Sequence, residues 1–416
     1  MARSARPQMP ISPRSRYEIV DIVRGFALFG VLLANMVWTS QFFSVTDIQR
    51  AELSTADIDP SFSLIVYMLV DGKFYTLFAM LFGLGFAMQL SRANDIGRNV
   101  IPVYCRRLAI LFFIGVGHGL LLWFGDILHV YALVGFILIL FRDKSDRFIL
   151  SWAVALALLT SLSPLIDWVT TIGNWGDSVL QDQSKASRFA ALTNGNWTEV
   201  VSVNWVFIRN AYLRPDLGFD STIYWYLSVL WKFLVGFVAG RRMLLQNADG
   251  NIDLFRRIFP WAATIGIIGN AYLSVSEWIY DLSISGSSSP VILLSWILIE
   301  ISIFALSMAY LSGLVILYRR PGWHDKISVF APVGKMALTN YLMQSFFMVF
   351  LFYGFGLNLL GKVGVSFCVV LSVIFFGFQV VISRWWLTRF RFGPMEWVWR
   401  SMTYGERPTF RLDVAA

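Results

Sequence analysis

The chain has 416 residues, 57% hydrophobic and 14% charged, with 36 Phe and 17 Trp scattered along nearly its whole length. That distribution excludes a soluble domain built round one core and predicts an all-α, polytopic membrane helix bundle. Cytoplasmic loops and anionic headgroups account for the basic excess of +8, so the charge argues for membrane lipids and for no nucleic-acid partner.

In chain order, residues 1–17 form a basic tail. Asp21 and Arg24 interrupt the apolar run that a signal peptide would need, and no A-x-A site follows, so the first run reads as an uncleaved span. Runs of about 17 to 25 apolar residues predict about ten transmembrane helices, near 19–39, 73–90, 108–124, 127–141, 148–169, 222–240, 258–280, 290–318, 333–353 and 364–383. They divide into an N-terminal bundle, 18–170, and a C-terminal bundle, 221–383, followed by an amphipathic tail, 384–416. Between the bundles, residues 171–220 are polar and external, and their Trp175, Trp197 and Trp205 suit short helices in the headgroup layer, a roof over a cavity or a contact for an acceptor substrate. The two halves show no self-similarity of the kind that inverted-repeat transporters leave.

The segments 1–17, 91–107, 142–147, 241–257, 319–335 and 384–416 hold 25 of the 34 Lys and Arg, against six in the opposite loops. The positive-inside rule then predicts both termini in the cytoplasm. Cys105 and Cys368 lie on different elements, so neither a disulfide nor a metal site is expected from them.

Ionisable groups inside hydrocarbon cost at least a few kcal/mol each, so function is sought there. Residues 108–141 would be about 51 Å long as one helix, against a bilayer core of about 30 Å. Gly125-Asp126 is the predicted break, making a hairpin whose turn faces outside. His129 would lie about 4 to 5 Å below that turn and His118 about 9 Å below it, near the membrane middle. Residues 61–90, about 45 Å as one helix, are expected to split at Asp71-Gly72-Lys73. Asp71, Lys73, Asp126 and His129 would then form a polar external mouth above His118.

A neutral His118 there suits a general base, with Asp126 or Asp71 fixing its tautomer. The same residues also fit plain structure: Asp126 as a helix cap, and His118 bonded to a carbonyl where Gly115, Gly117 and Gly119 let helices approach. With His118 and His129 on opposite arms and one carboxylate nearby, no metal is expected.

Near the inner surface, Asp21 and Arg24 can pair at i, i+3. Arg24, Arg106, Arg107, Arg241, Arg242 and Lys335 together suit a phosphate-bearing ligand, although positive-inside bias supplies such residues without one. Asn340 and Gln344, at i and i+4 in span nine with Thr339 and Tyr341, fit either that ligand or interhelical hydrogen bonding. Lys232, Asn270, Glu277 and Glu300 lie deeper, and Glu300 needs a partner. Pro394, Trp397, Trp399 and Arg400 mark a short amphipathic helix on the inner surface.

Several motifs in this order carry a resemblance: Asp21-Ile22-Val23-Arg24-Gly25-Phe26-Ala27-Leu28, Gly72-Lys73-Phe74 with Leu81-Phe82-Gly83, Arg106-Arg107, His118 with Gly125-Asp126-Ile127-Leu128, Leu338-Thr339-Asn340-Tyr341, and Gly393-Pro394-Met395-Glu396-Trp397. Over residues 16–405 the chain resembles the YeiB-like bacterial membrane proteins, domain of unknown function 418. The resemblance implies a multi-pass protein of the bacterial inner membrane, in a family often described as transporters. That family is in turn similar to transmembrane acyltransferases such as the lysosomal heparan-glucosaminide acetyltransferase, through the D-x-x-R-G signature at Asp21–Gly25. This second resemblance implies acyl-CoA as a cytoplasmic cosubstrate, with no tightly bound cofactor, and an extracytoplasmic glycan or small-molecule acceptor. In those relatives the catalytic histidine lies in or soon after the first span, whereas this chain has no histidine before His118. Acyltransferase, proton-coupled carrier and noncatalytic scaffold stay open as readings, and the sequence leaves the oligomeric state undetermined.

Overall fold

The computed structural model describes residues 17–42, 51–162, 187–213, 219–280 and 290–412. Within them the chain is an all-helical polytopic membrane bundle, with one isolated β-bridge between Phe390 and Arg411. The N-terminal tail up to residue 16 and most of the polar segment, including Trp175, lie outside the described residues.

The helices are α1 (Glu18–Phe42), α2 (Asp59–Leu69), α3 (Lys73–Asp95), α4 (Ile101–Leu121), α5 (Leu128–Leu138), α6 (Asp146–Ser161), α7 (Trp197–Leu213), α8 (Phe219–Arg241), α9 (Ile252–Tyr280), α10 (Pro290–Arg319), α11 (His324–Ser328), α12 (Phe330–Lys335), α13 (Ala337–Phe352), α14 (Val365–Leu387) and α15 (Pro394–Tyr404). Among the described residues, six stretches are long and apolar enough to cross a membrane, and Leu128–Phe141 and Ala337–Phe352 are shorter apolar helices. Phe113, Leu140, Trp261 and Val381 are each about 70% exposed on the outside, an apolar surface suited to lipid and not to water.

Glycines decide which helices touch. A Cβ on Gly25 would come 2.0 Å from the Phe330 carbonyl oxygen, and one on Gly334 would come 1.9 Å from the Asp21 carbonyl oxygen. So α1 and α12 meet backbone to backbone, and a side chain at either residue would force the helices apart. Gly83 and Gly236 play the same part between α3 and α8. Because α1 packs on α12, α13 and α14 while α3 packs on α8, the two halves of the chain interdigitate in a shared core.

The predicted split at Asp71-Gly72-Lys73 is present, with Gly72 at φ 78°, a left-handed turn that glycine adopts without strain. Two other boundaries differ from the sequence reading. Span nine is not one helix, because α12 ends at Lys335 and α13 restarts at Ala337. The hairpin helix ends at Leu121, not 124: the Leu122 and Trp123 N–H groups both return to the His118 carbonyl, and residues 122–127 run without helix. Gly125 is needed there because a Cβ would strike the Trp123 ring at 2.5 Å.

That turn is covered by α7. Trp197 Nε1 on α7 donates to the Leu121 carbonyl at 3.0 Å, Asn204 Nδ2 donates to the Leu120 carbonyl at 3.0 Å, and Phe207 stacks on Phe124 with centroids 4.1 Å apart.

Candidate functional site

One cavity of about 780 Å³ follows the bundle. Along α1 and the residue before it, the cavity is lined by Tyr17, Val20, Asp21, Arg24, Leu28, Val31, Asn35 and Trp38, one face of the helix. That face covers about 32 Å by helical rise, the thickness of a bilayer core. On α3 the wall runs from Phe74 and Tyr75 through Phe78, Phe82 and Gly85 to Gln89 and Arg92.

At one end the lining carries five cations from five helices: Arg24 (α1), Arg92 (α3), Arg107 (α4), Lys335 (α12) and Arg400 (α15), with Asp21 and Glu396 as acids. Arg24 Nη1 donates to Asp21 Oδ1 at 3.0 Å, the predicted pair. Arg107 lies 4.0 Å over the Trp399 ring, whose Nε1 donates to the Arg107 carbonyl. Helix α15 is therefore a wall of the cavity as well as a surface helix, contributing Glu396, Trp399, Arg400, Thr403 and Tyr404 at i, i+3, i+4, i+7 and i+8. It is fastened by Glu396, which accepts from the Leu338 and Thr339 N–H groups at 2.6 and 3.1 Å and from Thr339 Oγ1 at 2.6 Å. The unpaired first-turn N–H groups of α13 are what a carboxylate satisfies. Desolvation pushes the Glu396 carboxyl above its usual value, and its bonds to Thr339 and Leu338 oppose that.

At the far end of α4 from Arg107 stands a carboxylate between two imidazoles. The Asp126 side chain is fully enclosed, with Oδ1 2.8 Å from His118 Nδ1 and Oδ2 2.6 Å from His129 Nδ1. The His129 backbone N–H also donates to Oδ2, at 2.9 Å, so Asp126 caps the start of α5 and orients both rings. Room for this comes from Gly115, where a Cβ would lie 2.4 Å from His129 N and 2.7 Å from Asp126 Oδ2. Asp126 and His129 line the cavity, whereas His118 is 4% exposed and is not part of the lining. With Nδ1 turned to Asp126, chemistry from His129 toward the cavity is confined to Nε2. Arg107 and His118 are eleven residues apart on α4, so the imidazoles lie about 16 Å from the cation end by helical rise. Beyond them the cavity continues past Trp38, Trp123, Asp71 and Trp225.

The sequence-predicted residues thus separate into several groups. Arg24, Arg107, Lys335, Asp71, Asp126 and His129 line one cavity. Asp126 bonds both rings, so His118, Asp126 and His129 form one cluster instead of standing at separate depths. The solvent-exposed Arg106 is outside the lining, and Arg241 and Arg242 pair with Asp146.

Lys73 turns away from the mouth. It is 1% exposed, and its Nζ donates to the Tyr67 carbonyl at the end of α2. Asn340 and Gln344 face α14, where Gln344 Nε2 donates to Gln379 Oε1 at 2.9 Å and Asn340 Nδ2 donates to Ser383 Oγ at 3.0 Å. Glu300 finds its partner in Lys232, at 3.7 Å.

The sequence reading placed Arg400 only on a surface helix and did not single out Arg92, Tyr75 or Tyr404, all of which line the cavity. Arg92 closes the α3 stripe of Phe74, Phe78, Phe82, Gly85 and Gln89, a helical period that could have found it.

The chain matches the family described as "Protein of unknown function (DUF418)" over residues 239–406. It is 30% identical over 409 residues to "Uncharacterized protein YxaH" of Bacillus subtilis (strain 168), covering 95% of this chain and 96% of that one. It is 29% identical over 402 residues to "Uncharacterized protein YeiB" of Escherichia coli (strain K12), with 93% and 96% covered. A third relative, "Uncharacterized 39.9 kDa protein in amylase 3'region" of Bacillus acidopullulyticus, is 24% identical over 403 residues, with 96% of both chains covered. No solved structure matches. A polytopic helical membrane protein that aligns almost end to end with these relatives, this chain belongs to the DUF418 family of YeiB-like proteins.

Proposed function

We propose that this protein is a transmembrane acyltransferase, taking an acyl group from cytoplasmic acyl-CoA and passing it to a hydroxyl or amine that enters from the opposite side. The observation that carries this reading is a single cavity with five cations at one end and an enclosed Asp126–His129 pair about 16 Å further in. Cations from five helices suit a polyphosphate head. A reactive carbon delivered to His129 must then hang on a long, slender arm, and an acyl thioester of CoA has that shape.

In the step itself, His129 Nε2 takes the proton from the acceptor as the acceptor's freed electron pair attacks the thioester carbonyl carbon. The C–S bond breaks, and the departing thiolate recovers the proton from the imidazolium. Asp126 holds Nδ1–H throughout and stabilises the cation between the two transfers.

Protein in nanodiscs, given radiolabelled acetyl-CoA and a panel of hydroxyl and amine acceptors, should release CoA and label an acceptor. His129→Ala should lower that rate about 100-fold or more. Uptake of an unmodified solute into proteoliposomes with no covalent product would make the cavity a transport path and end this reading.

A further inference from the structure

Behind the cavity wall stands a second imidazole that the transfer step does not use. His118 Nδ1 lies 2.8 Å from Asp126 Oδ1, while Asp126 Oδ2 serves His129. An ionised carboxylate only accepts, so both contacts require rings protonated at Nδ1. Among the described residues His118 Nε2 has no hydrogen-bond partner, so the ring's one polar contact is with Asp126. The His118 ring lies beside that of Tyr341, with centroids 5.2 Å apart.

We propose that His118 is a positioning residue: it fixes Asp126 from behind, and Asp126 in turn fixes the tautomer and orientation of the cavity-facing His129. Its use in catalysis rests on the acyl-transfer reading, but its geometry does not. The other titratable side chains around the trio are Tyr341 on α13, whose hydroxyl accepts from Ile127 N at 3.4 Å, and Tyr131 on α5, with Asp71 and Tyr75 lining the same cavity.

The chain has three histidines, and the third, His324, is 43% exposed on α11. Diethyl pyrocarbonate labelling followed by mass spectrometry therefore reads His129 directly, with His324 as the internal standard. His118→Leu takes one donor from Asp126, which then draws the His129 proton harder. The pH profile of His129 labelling should move up by about one unit, and kcat for acetyl-CoA should fall about 10- to 100-fold with KM unchanged.

His118→Asn, whose amide stands near the Nδ1 position, should restore both. His118→Gln, whose amide stands near Nε2, should not. The Asn and Gln pair decides the matter even if the Leu variant does not fold. A His129 profile that is the same in wild type, Asn and Gln variants overturns the proposal, as does an Asn variant that behaves like Gln. If the labelling shifts occur but wild-type protein transfers no acyl group, the positioning role stands and the acyl-transfer reading falls.

Discussion

The two functional parts of the cavity are built in opposite ways. The imidazole part is local: His118, Asp126 and His129 come from one hairpin within twelve residues, and the chain turn itself brings them together. The cation end is assembled from α1, α3, α4, α12 and α15, which are separated by up to several hundred residues. A local site tolerates loose packing elsewhere but not the loss of a single member. A dispersed one loses affinity in steps, and it depends on every helix contact that holds its contributors in place.

The largest effect should come from the local part. Asp126→Asn keeps the size but removes the charge that orients His129, and acyl transfer should drop by about 100- to 10,000-fold, while acetyl-CoA binding by equilibrium dialysis stays near wild type. Equal loss of binding would show that the two parts are one. At the cation end, Arg400→Ala should weaken acetyl-CoA binding about tenfold or somewhat more, the value of one charge-assisted hydrogen bond, with kcat at saturation little changed. A kcat loss without an affinity loss would move Arg400 out of the donor site.

Packing comes next. Gly334→Ala puts a Cβ against the Asp21 carbonyl and should destabilise the fold by about 1 to 3 kcal/mol, read as a lower Tm in detergent. Because α1 and α12 carry Arg24 and Lys335, donor affinity should fall with it while the His129 labelling pattern holds.

The smallest effect is a pH slope in the docking of α15. The folded Glu396 carboxyl lies above its ordinary value of 4.5, so its contribution is complete below that pH and declines as pH rises through the folded value. Limited proteolysis of the tail should accelerate with pH over that range, and Glu396→Gln should flatten the slope.

The same contrast explains what was legible beforehand. The break at Gly72 and the existence of a break near Gly125 followed from helix length against bilayer thickness. The cover over the hairpin turn did not, because α7 reaches it from more than 70 residues away, with hydrogen bonds to the Leu120 and Leu121 carbonyls. Asn340 and Gln344 looked alike as ligand groups or helix glue. Only the position of Gln379 and Ser383 on α14 turns them away from the cavity.

Composition, hydrophobic periodicity and basic asymmetry by themselves determined a polytopic helix bundle and the pairing of Asp21 with Arg24, because these depend on the solvent and on neighbours three or four residues away. Tertiary structure alone decided that His129 and not His118 faces the cavity, that Arg92 and Arg400 join Arg24, and that Glu396 caps α13. Each of those depends on which helix faces which, and in lipid that choice rests on small-residue contacts such as Gly25 with Gly334, whose partners no local pattern names.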